Sequence, residues 1–173
     1  MPNILDIVVE PDQLLHKKSL LVDSIDGKLR SFMDDMLVTM YHNNGIGLAA
    51  VQVGVLKKII VIDLGRRLAN SMQMPLFMIN AEIIKKSETL AEFREGCLSV
   101  PGFFAEVSRS ADITVKFINY EGIEEKLDIQ HGLLSVCVQH EIDHTNGIVF
   151  IDYLSKLKRD FALKKSLKTK EKA

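Results

Sequence analysis

The stretch Gln139-His140-Glu141-Ile142-Asp143-His144 predicts both the centre of the fold and its chemistry. Residues four apart on an α-helix lie on one face, one turn apart, so His140 and His144 can bind the same metal ion. Glu141 then projects beside that ion. Two imidazole ligands with a carboxylate that moves protons for an activated water are typical of metallohydrolases. Such a site still needs a third protein ligand and an open fourth position.

The helix that carries this stretch is predicted over residues 132–146. Its apolar residues occur on nearly every side, which is typical of a buried helix. Asn146-Gly147 is a C-terminal stop signal. A chain of 173 residues suits one domain with a substantial core. We therefore expect residues 1–173 to form a single domain around this helix.

The sequence after the histidine pair offers few candidates for the third ligand. A zincin-type protease places its third ligand downstream of the pair. Here no His or Cys follows His144, and the carboxylates that follow are Asp152, Asp160 and Glu171. Glu171 also lies in the basic end of the chain. Because no His or Cys follows the pair, the interpretation as an ordinary metalloprotease is weakened.

The upstream candidates are His16, His42, Cys97, His131 and Cys137. Cys137 precedes His144 on the same helix by about 10 Å along the axis, which is too far for one ion bound at ~2.0–2.3 Å. His131 fails in the same way, and His16 and His42 lie among polar residues, where surface positions are expected. A lone cysteine such as Cys97 is usually a buried structural thiol, but with the histidine pair it completes a Cys-His-His set.

Hydrophobic periodicity predicts further elements along the chain. A helix is predicted from Leu29 to Tyr41, and its methionine-rich apolar stripe is typical of a core. The turn signal Asn43-Asn44-Gly45 ends it. Strands are predicted over residues 57–63, 76–80, 103–109, 111–119 and 123–129, with one or two more within 81–94.

The C-terminal segment is basic. From Ser155 onward eight lysines and arginines stand against two acidic residues, which gives +6, so the rest of a chain of net charge −1 carries −7. A helix is predicted to begin near Ser155, an N-cap residue, and to dock through Leu154, Leu157 and Phe161. A basic segment on an acidic body indicates a polyanionic partner; a solvated, partly frayed end is the alternative.

The sequence shows no signal for export or for a membrane span. Residues 3–11 include Asp6 and Glu10 and lack the basic start of a signal peptide, and no apolar run approaches ~20 residues. Two cysteines in such a chain are expected to be thiols. We therefore expect a cytoplasmic protein without membrane contact, and the net charge of −1 provides no general attraction for DNA.

Three separated blocks resemble those of the peptide deformylase family. They are Gly45-Ile46-Gly47-Leu48-Ala49-Ala50-Val51-Gln52, then Glu95-Gly96-Cys97-Leu98-Ser99, then the stretch around His140. Each alone could occur by chance, but all three in this order make a specific signature, and the resemblance extends from about Ile4 to Phe161. It implies an α+β fold in which antiparallel β-sheets surround the central metal-site helix, with an N-terminal and a C-terminal helix. It also implies removal of the formyl group from the N-terminal formyl-methionine of newly made polypeptides.

The resemblance implies a role for each residue of the reaction centre. Cys97, His140 and His144 become the metal ligands. Glu141 takes a proton from water and later delivers it to the leaving amine. The Gln52 side-chain amide and the Leu98 backbone N–H become the donors to the oxyanion, where losing one donor typically costs ~10²–10³ in rate.

The resemblance also implies where the substrate lies. Its backbone is expected to be extended like an added strand, with Ile46 and Gly47 on one side and Gly96 on the other. The slot for the methionine side chain maps onto Phe93, Glu95, Leu133, Val136, Cys137 and His140.

Two residues depart from a simple apolar cleft. Glu95 is unusual in such a wall, and by analogy with the family it is expected to pair with Arg109; two independent surface charges are the alternative. Phe104 stands where some bacterial members carry an arginine near the mouth of the cleft. It predicts a more apolar outer site, with changed preferences for residues after the methionine.

A thiolate and two imidazoles suit zinc, iron, cobalt or nickel. The resemblance implies one divalent ion, Fe²⁺ in the cell, for which Zn²⁺, Ni²⁺ or Co²⁺ can substitute. It implies formyl-methionyl nascent peptides as substrates and, through the basic C-terminal helix, a contact with the ribosome. Two alternatives stay open at this point: a metallo-endopeptidase with a Cys-His-His site, and a catalytically silent fold used for binding.

Overall fold

The computed structural model describes residues 1–65, 67 and 72–172. Within them the chain forms three α-helices, which are α1 (Gly27–His42), α2 (Leu133–Thr145) and α3 (Lys156–Lys172). The described strands are β1 (Gly47–Ala49), β2 (Ile59–Ile62), β3 (Leu76–Lys86), β4 (Leu90–Cys97), β5 (Val100–Ser110), β6 (Ile113–Ile118) and β7 (Glu124–Ile129). Short 3₁₀ turns occupy Gln13–His16, Ala50–Val53 and Phe150–Tyr153.

The described strands form two antiparallel sheets. One has five strands in the order β1-β2-β3-β6-β7, and the other is the β4–β5 pair. All the pairings within them are antiparallel. This is the α+β architecture that the family resemblance implied, and all the described strands precede the site helix α2 in the sequence.

Strand β2 explains why the larger sheet lies between two helices. All four of its residues are buried. Ile60 and Ile62 pack in a cluster with Val138 and Ile142 of α2, whereas Ile59 and Val61 pack in a second cluster with the methionines of α1. Alternate residues of a strand face opposite sides of the sheet, so α1 and α2 cover opposite faces of β2. The methionine stripe of α1 is core, as predicted.

Helix α2 is buried on almost all sides, as its composition predicted, with ten of its 13 residues buried. It ends at Thr145 with Asn146 as its C-cap, and Gly147 follows with φ +77°. A Cβ at Gly147 would lie 2.6 Å from the carbonyl oxygen of His16. Glycine therefore both supplies the left-handed conformation and admits the N-terminal segment against the end of the helix.

Strand β3 differs from the prediction of separate strands at 76–80 and within 81–94. It runs unbroken to Lys86 because Asn80, with φ +53°, absorbs a register shift between Ile79 and Glu82. The Asn80 side chain accepts from the Val22 backbone N–H and donates to the Val22 carbonyl. This tie to a distant segment stabilises the bulge, and a periodicity argument could not detect it.

The predicted docking of α3 through Leu154, Leu157 and Phe161 is confirmed only for Leu154, which packs against the core cluster that contains Phe103 and Phe150. Leu157 and Phe161 are 81% and 59% exposed, although the Phe161 ring still meets the edge of Phe103 at 6.2 Å. The buried positions are instead Ala162 and Ser166. Small residues let the helix approach β5 closely, whereas Leu157, Phe161 and Leu167 are exposed and Leu163 packs at the edge of the core. None of the described helices combines the length and the apolar character that a membrane crossing requires.

Candidate metal centre

Three side chains from two distant parts of the chain meet at the inner end of a cleft. Helix α2 presents His140 and His144 one turn apart, and β4 ends at Cys97, which pairs with Val100 across a tight turn. The Nε2 atoms of the two histidines are 3.2 Å apart, and the Cys97 Sγ lies 3.3 Å from the Nε2 of His144. All three donor atoms lie within 4.8 Å of one another. The sequence-predicted set is thus assembled.

These donor atoms fit one ion. Ligands bound tetrahedrally at 2.0–2.3 Å lie about 3.3–3.8 Å from each other, close to the distances of 3.2 and 3.3 Å from His144 Nε2 to the other two donor atoms. A thiolate and two imidazoles are donors that bind a borderline transition metal. Cys137, His16, His42 and His131 are not part of the group. The donor set therefore supports a single metal ion bound by Cys97, His140 and His144.

The electrostatics of the two histidines suit a bound cation. Burial lowers the pKa of His144 well below its ordinary value, which keeps the imidazole neutral, as a ligand must be. Burial alone would also lower the pKa of His140, but the facing Cys97 and Glu95 raise it. Positive charge is therefore stabilised beside His140, whether it is carried by a proton or by a metal.

Glu95 holds His140 in place and is itself held by Arg109. The Nδ1–H of His140 donates to Glu95 Oε1 at 2.8 Å, and Arg109 donates two hydrogen bonds to the same carboxylate at 2.7 and 2.9 Å. Burial alone would raise the pKa of Glu95, but these partners lower it. The predicted Glu95–Arg109 pair is present, so the negative charge of Glu95 in the cleft wall is neutralised by Arg109.

The ion pair extends to two residues that the sequence did not single out. Arg109 also donates to Asp143 Oδ2 at 2.8 Å, and the Tyr153 hydroxyl donates to the same oxygen at 2.8 Å. The Arg109 guanidinium lies 5.4 Å from the centre of the Tyr153 ring. Asp143 follows His140 by three residues on one helix face, and that spacing was the available signal. The contact between Asp143 and Arg109 could not be predicted from that spacing, because Arg109 comes from the distant strand β5.

Glu141 lies in the cleft next to the donor atoms and is 4% exposed. Its Oε2 is buried and has no hydrogen-bond partner within the described part of the chain. Burial raises its pKa to about 7, so the carboxyl exchanges a proton near neutral pH. A Cβ at Gly47 would lie 2.4 Å from the Oε1 of Glu141, which shows how closely β1 passes this side chain.

Gln52 is oriented by hydrogen bonds at both ends of its amide. Its Oε1 accepts from the Ala49 backbone N–H at 2.9 Å, and its NH₂ donates to Ser99 Oγ at 3.1 Å and to Cys97 Sγ at 3.4 Å. The amide nitrogen is therefore fixed beside the Cys97 ligand. Ser99, which orients it, was quoted within the sequence block but received no role there.

The predicted substrate residues line one cleft of about 480 Å³. Apolar side chains from α2 and β4 form its inner part, and β1 and β4 form opposite sides, as expected for an extended ligand. His144 lies below the cleft floor and is fully buried. The predicted residues that line the cleft are Ile46, Gly47, Gln52, Phe93, Glu95, Gly96, Cys97, Leu98, Phe104, Leu133, Val136, Cys137, His140 and Glu141.

The mouth of the cleft is less apolar than Phe104 suggested. The Phe104 ring is 55% exposed and covers Gly96, where a Cβ would lie 2.4 Å from the ring. The guanidinium of Arg94 lies 5.5 Å from the centre of that ring. Sequence analysis gave Arg94 no role, although its position two residues before Gly96 puts both on one face of β4.

Comparisons with known proteins agree with this geometry. The family described as Polypeptide deformylase matches residues 4–160. The peptide deformylase of Rickettsia akari is 48% identical over 173 residues, with 97% of each chain covered. A crystal structure of peptide deformylase from Ehrlichia chaffeensis superposes with a TM-score of 0.92 at 42% identity over 98% of both chains. A second structure of that protein, in complex with actinonin, has a TM-score of 0.90 at 44% identity over 99% of both.

Proposed function

This chain belongs to the polypeptide deformylase family, and from that premise we propose how its residues divide the work. The enzyme is a metal-dependent hydrolase that removes the formyl group from the N-terminal formyl-methionine of newly made polypeptides and releases formate. The observation that carries the assignment of residues is the convergence of Cys97, His140 and His144 beside the buried, unpartnered carboxylate oxygen of Glu141.

Cys97, His140 and His144 would hold one divalent ion, and we propose Fe²⁺ as the ion in the cell, with Zn²⁺, Ni²⁺ or Co²⁺ able to replace it. The ion, when bound, lowers the pKa of a coordinated water and polarises the formyl carbonyl. The Glu95 carboxylate fixes the tautomer of His140 by accepting its Nδ1–H, which would leave the Nε2 lone pair free to bind the ion.

Glu141 is the proton carrier of the proposal. A pKa of about 7 lets its carboxylate take a proton from the attacking water and give it to the amine as the C–N bond breaks. Gly47 keeps β1 close to this carboxylate and so restricts its orientation.

The oxyanion that forms at the formyl oxygen is stabilised by the Gln52 NH₂ group and the Leu98 backbone N–H. The Gln52 amide is already held in place by Ala49 and Ser99, and the N–H that faces Cys97 Sγ is the one proposed to donate to the oxyanion. Donors that are fixed before the reaction stabilise developing charge without a reorganisation cost.

The methionine side chain fills the inner part of the cleft, against Phe93, Leu133, Val136 and Cys137. The peptide backbone then lies between Gly96 of β4 and Ile46 and Gly47 of β1. Strand β1 is an edge strand of its sheet, so its outer backbone groups are available to an added strand. The endopeptidase alternative is not favoured, because the family and the related structures are deformylases.

The decisive experiment measures formate release from formyl-Met-Ala-Ser by protein purified without oxygen and loaded with Fe²⁺, with metal content determined on the same sample. We expect formate and free Met-Ala-Ser in equal amounts. Glu141→Ala should keep the metal and lose turnover, whereas Cys97→Ala should lose the metal. Cleavage of internal bonds in unformylated peptides, without formate release, would instead support an endopeptidase.

We further propose that α3 contacts ribosomal RNA, which would bring the enzyme to nascent chains in the cytoplasm. Helix α3 carries eight lysines and arginines against two acids, and Lys164, Lys165 and Lys168 are exposed. Reversing the charges of Lys164 and Lys168 to Glu should weaken co-sedimentation with ribosomes and reduce its salt dependence. The same sedimentation by the altered and unaltered proteins would remove this idea.

A further inference from the structure

The outer part of the cleft is built on one face of β4. Arg94 and Gly96 lie two residues apart on that face, opposite Glu106 and Phe104 of β5. The Phe104 ring lies over Gly96, and the Arg94 guanidinium lies over the same ring at 5.5 Å. An unbroken surface of ring and guanidinium thus leads outward from the Cys97 ligand.

Arg94 is exposed and not engaged in an ion pair within the described chain. Its cross-strand neighbour Glu106 is not within 4.0 Å of it. Stacking on Phe104 orients the planar guanidinium while its N–H groups stay available. A guanidinium fork that is both oriented and unpaired is suited to a carboxylate.

Further basic residues border the mouth, next to the acidic Glu92 and Glu106 of β4 and β5. Gly102 lines the cleft, and a Cβ there would lie 2.7 Å from the Oγ1 of Thr169 in α3. The helix that borders the mouth is therefore the one with eight basic and two acidic residues. Arg67 is also among the residues that line the cleft. Positive charge at a cleft mouth attracts acidic ligands and raises their association rate.

The spacing relates Arg94 to a position in the substrate. Residues of an extended chain advance about 3.3 Å each, so Arg94 lies about 10 Å along β4 from Cys97. A formyl peptide that starts at the metal ligands and runs along β4 reaches the same distance at its second or third residue after the methionine.

We infer that Arg94, supported on Phe104, forms a subsite that selects an aspartate or glutamate at the second or third position after the formyl-methionine. This inference rests on the proposed function and refines its substrate class. It also replaces the expectation of an apolar outer site, because the exposed ring serves as a platform for a cation.

The test compares kcat/KM for formyl-Met-Ala-Xaa-Xaa peptides that carry Glu, its neutral isostere Gln, or Lys at the first or second Xaa position, at low ionic strength. For the unaltered protein we expect Glu to exceed Gln by at least about threefold at one of these positions, with Lys lowest, from the strength of partly exposed ion pairs. The ratio should fall as salt is added.

Arg94→Glu should abolish or invert the Glu-to-Gln ratio, and Arg94→Gln should bring it near one. Lys126→Glu is the matched control, since it makes the same change of net charge on the exposed edge strand β7. A ratio near one in the unaltered protein, or equal effects of Arg94→Glu and Lys126→Glu, overturns the subsite.

Failure of the subsite is distinguishable from failure of the proposed function. If formyl-Met-Ala-Ser yields formate and the Glu and Gln peptides react equally, the subsite alone is wrong. If none of the formylated peptides yields formate with metal-loaded protein, the proposed function and the subsite fail together.

Discussion

At the residue scale, the site depends on close approaches that leave no room for additional atoms. Gly47 passes so near α2 that a Cβ would lie 2.4 Å from Glu141 Oε1 and 2.9 Å from Cys137 Sγ. Both are side chains of the cleft, one proposed for proton transfer and one for the methionine slot. The absence of a side chain at Gly47 therefore leaves the space that the Glu141 carboxylate occupies.

Gly47→Ala should displace Glu141 and lower kcat/KM by about 10- to 100-fold, the scale expected when a reacting group is misplaced by about 1 Å. Metal content should not change, because no ligand moves with the carboxylate. Gly27→Ala is the control, since a Cβ at Gly27 meets nothing within 4 Å. Steady-state kinetics with formyl-Met-Ala-Ser will decide, and full activity of Gly47→Ala would contradict the assigned proximity.

Arg109→Met should destabilise the metal-loaded protein by about 3–5 kcal/mol, because it leaves the buried Glu95 carboxylate and Asp143 without their cation. Lys116→Met removes an exposed pair with Glu82, 3.9 Å long, and should cost less than about 0.5 kcal/mol. The free energies of unfolding in denaturant give both values. Similar costs for the two variants would contradict the argument that burial makes the loss of Arg109 costly.

At the element scale, α3 shows that a helix can dock by small residues while most of its large apolar ones, Leu157, Phe161 and Leu167, stay exposed. Ala162 and Ser166 are fully buried, and Thr169 meets Gly102 of β5. The short side chains allow the helix axis to come close to the strand. The consequence is that a basic helix borders the substrate cleft directly, so changes in α3 are expected to affect the cleft wall.

Ser166→Ala should raise the free energy of unfolding by about 1 kcal/mol. The Ser166 hydroxyl is buried and has no hydrogen-bond partner among the residues described, and an unsatisfied buried polar group is costly. Alanine is also the better helix former. Leu157→Ala, at an 81% exposed position, should change stability by less than about 0.5 kcal/mol. A loss of stability in Ser166→Ala would show that the hydroxyl has a partner.

At the scale of the whole molecule, the proposed ion would link the two sheets, because its ligands come from both parts of the fold. Cys97 belongs to the β4–β5 pair, whereas α2, which carries both histidines, packs on the five-stranded sheet. Because the complete ligand set forms only in the folded chain, metal binding adds to folding free energy. Stability and metal content should therefore change together.

Removing the metal with a chelator should lower Tm by roughly 10 °C, as expected if ~4 kcal/mol of binding energy is lost at a free metal concentration 1,000 times Kd. Differential scanning calorimetry with and without chelator provides the measurement. Cys97→Ala, which should bind the metal poorly, is the control and should show little further shift. An unchanged Tm for the unaltered protein on chelation would contradict the link between the ion and the fold.

The sequence by itself determined what depends on local periodicity. A spacing of four on a helix paired His140 with His144 and put Glu141 beside them, and the apolar surroundings of α2 implied its burial. The three blocks resembling deformylases then implied the family, the Cys97 ligand and the roles of Gln52 and Leu98. The family, the burial of α2 and the grouping of Cys97 with the two histidines are confirmed, because each needs only one short segment or a motif that the family shares. The roles of Gln52 and Leu98 stay predictions.

Only the tertiary structure decided what depends on register and packing between distant segments. The pairing of Gly96 with Phe104 brings Arg94 over the ring, β5 carries Arg109 to both Glu95 and Asp143, and close contact with β5 selects Ala162 and Ser166 over Leu157 and Phe161. Register and helix–strand distance arise from contacts across many residues. Side-chain periodicity within one segment carries no information about them, because it specifies which face is buried but not what that face meets.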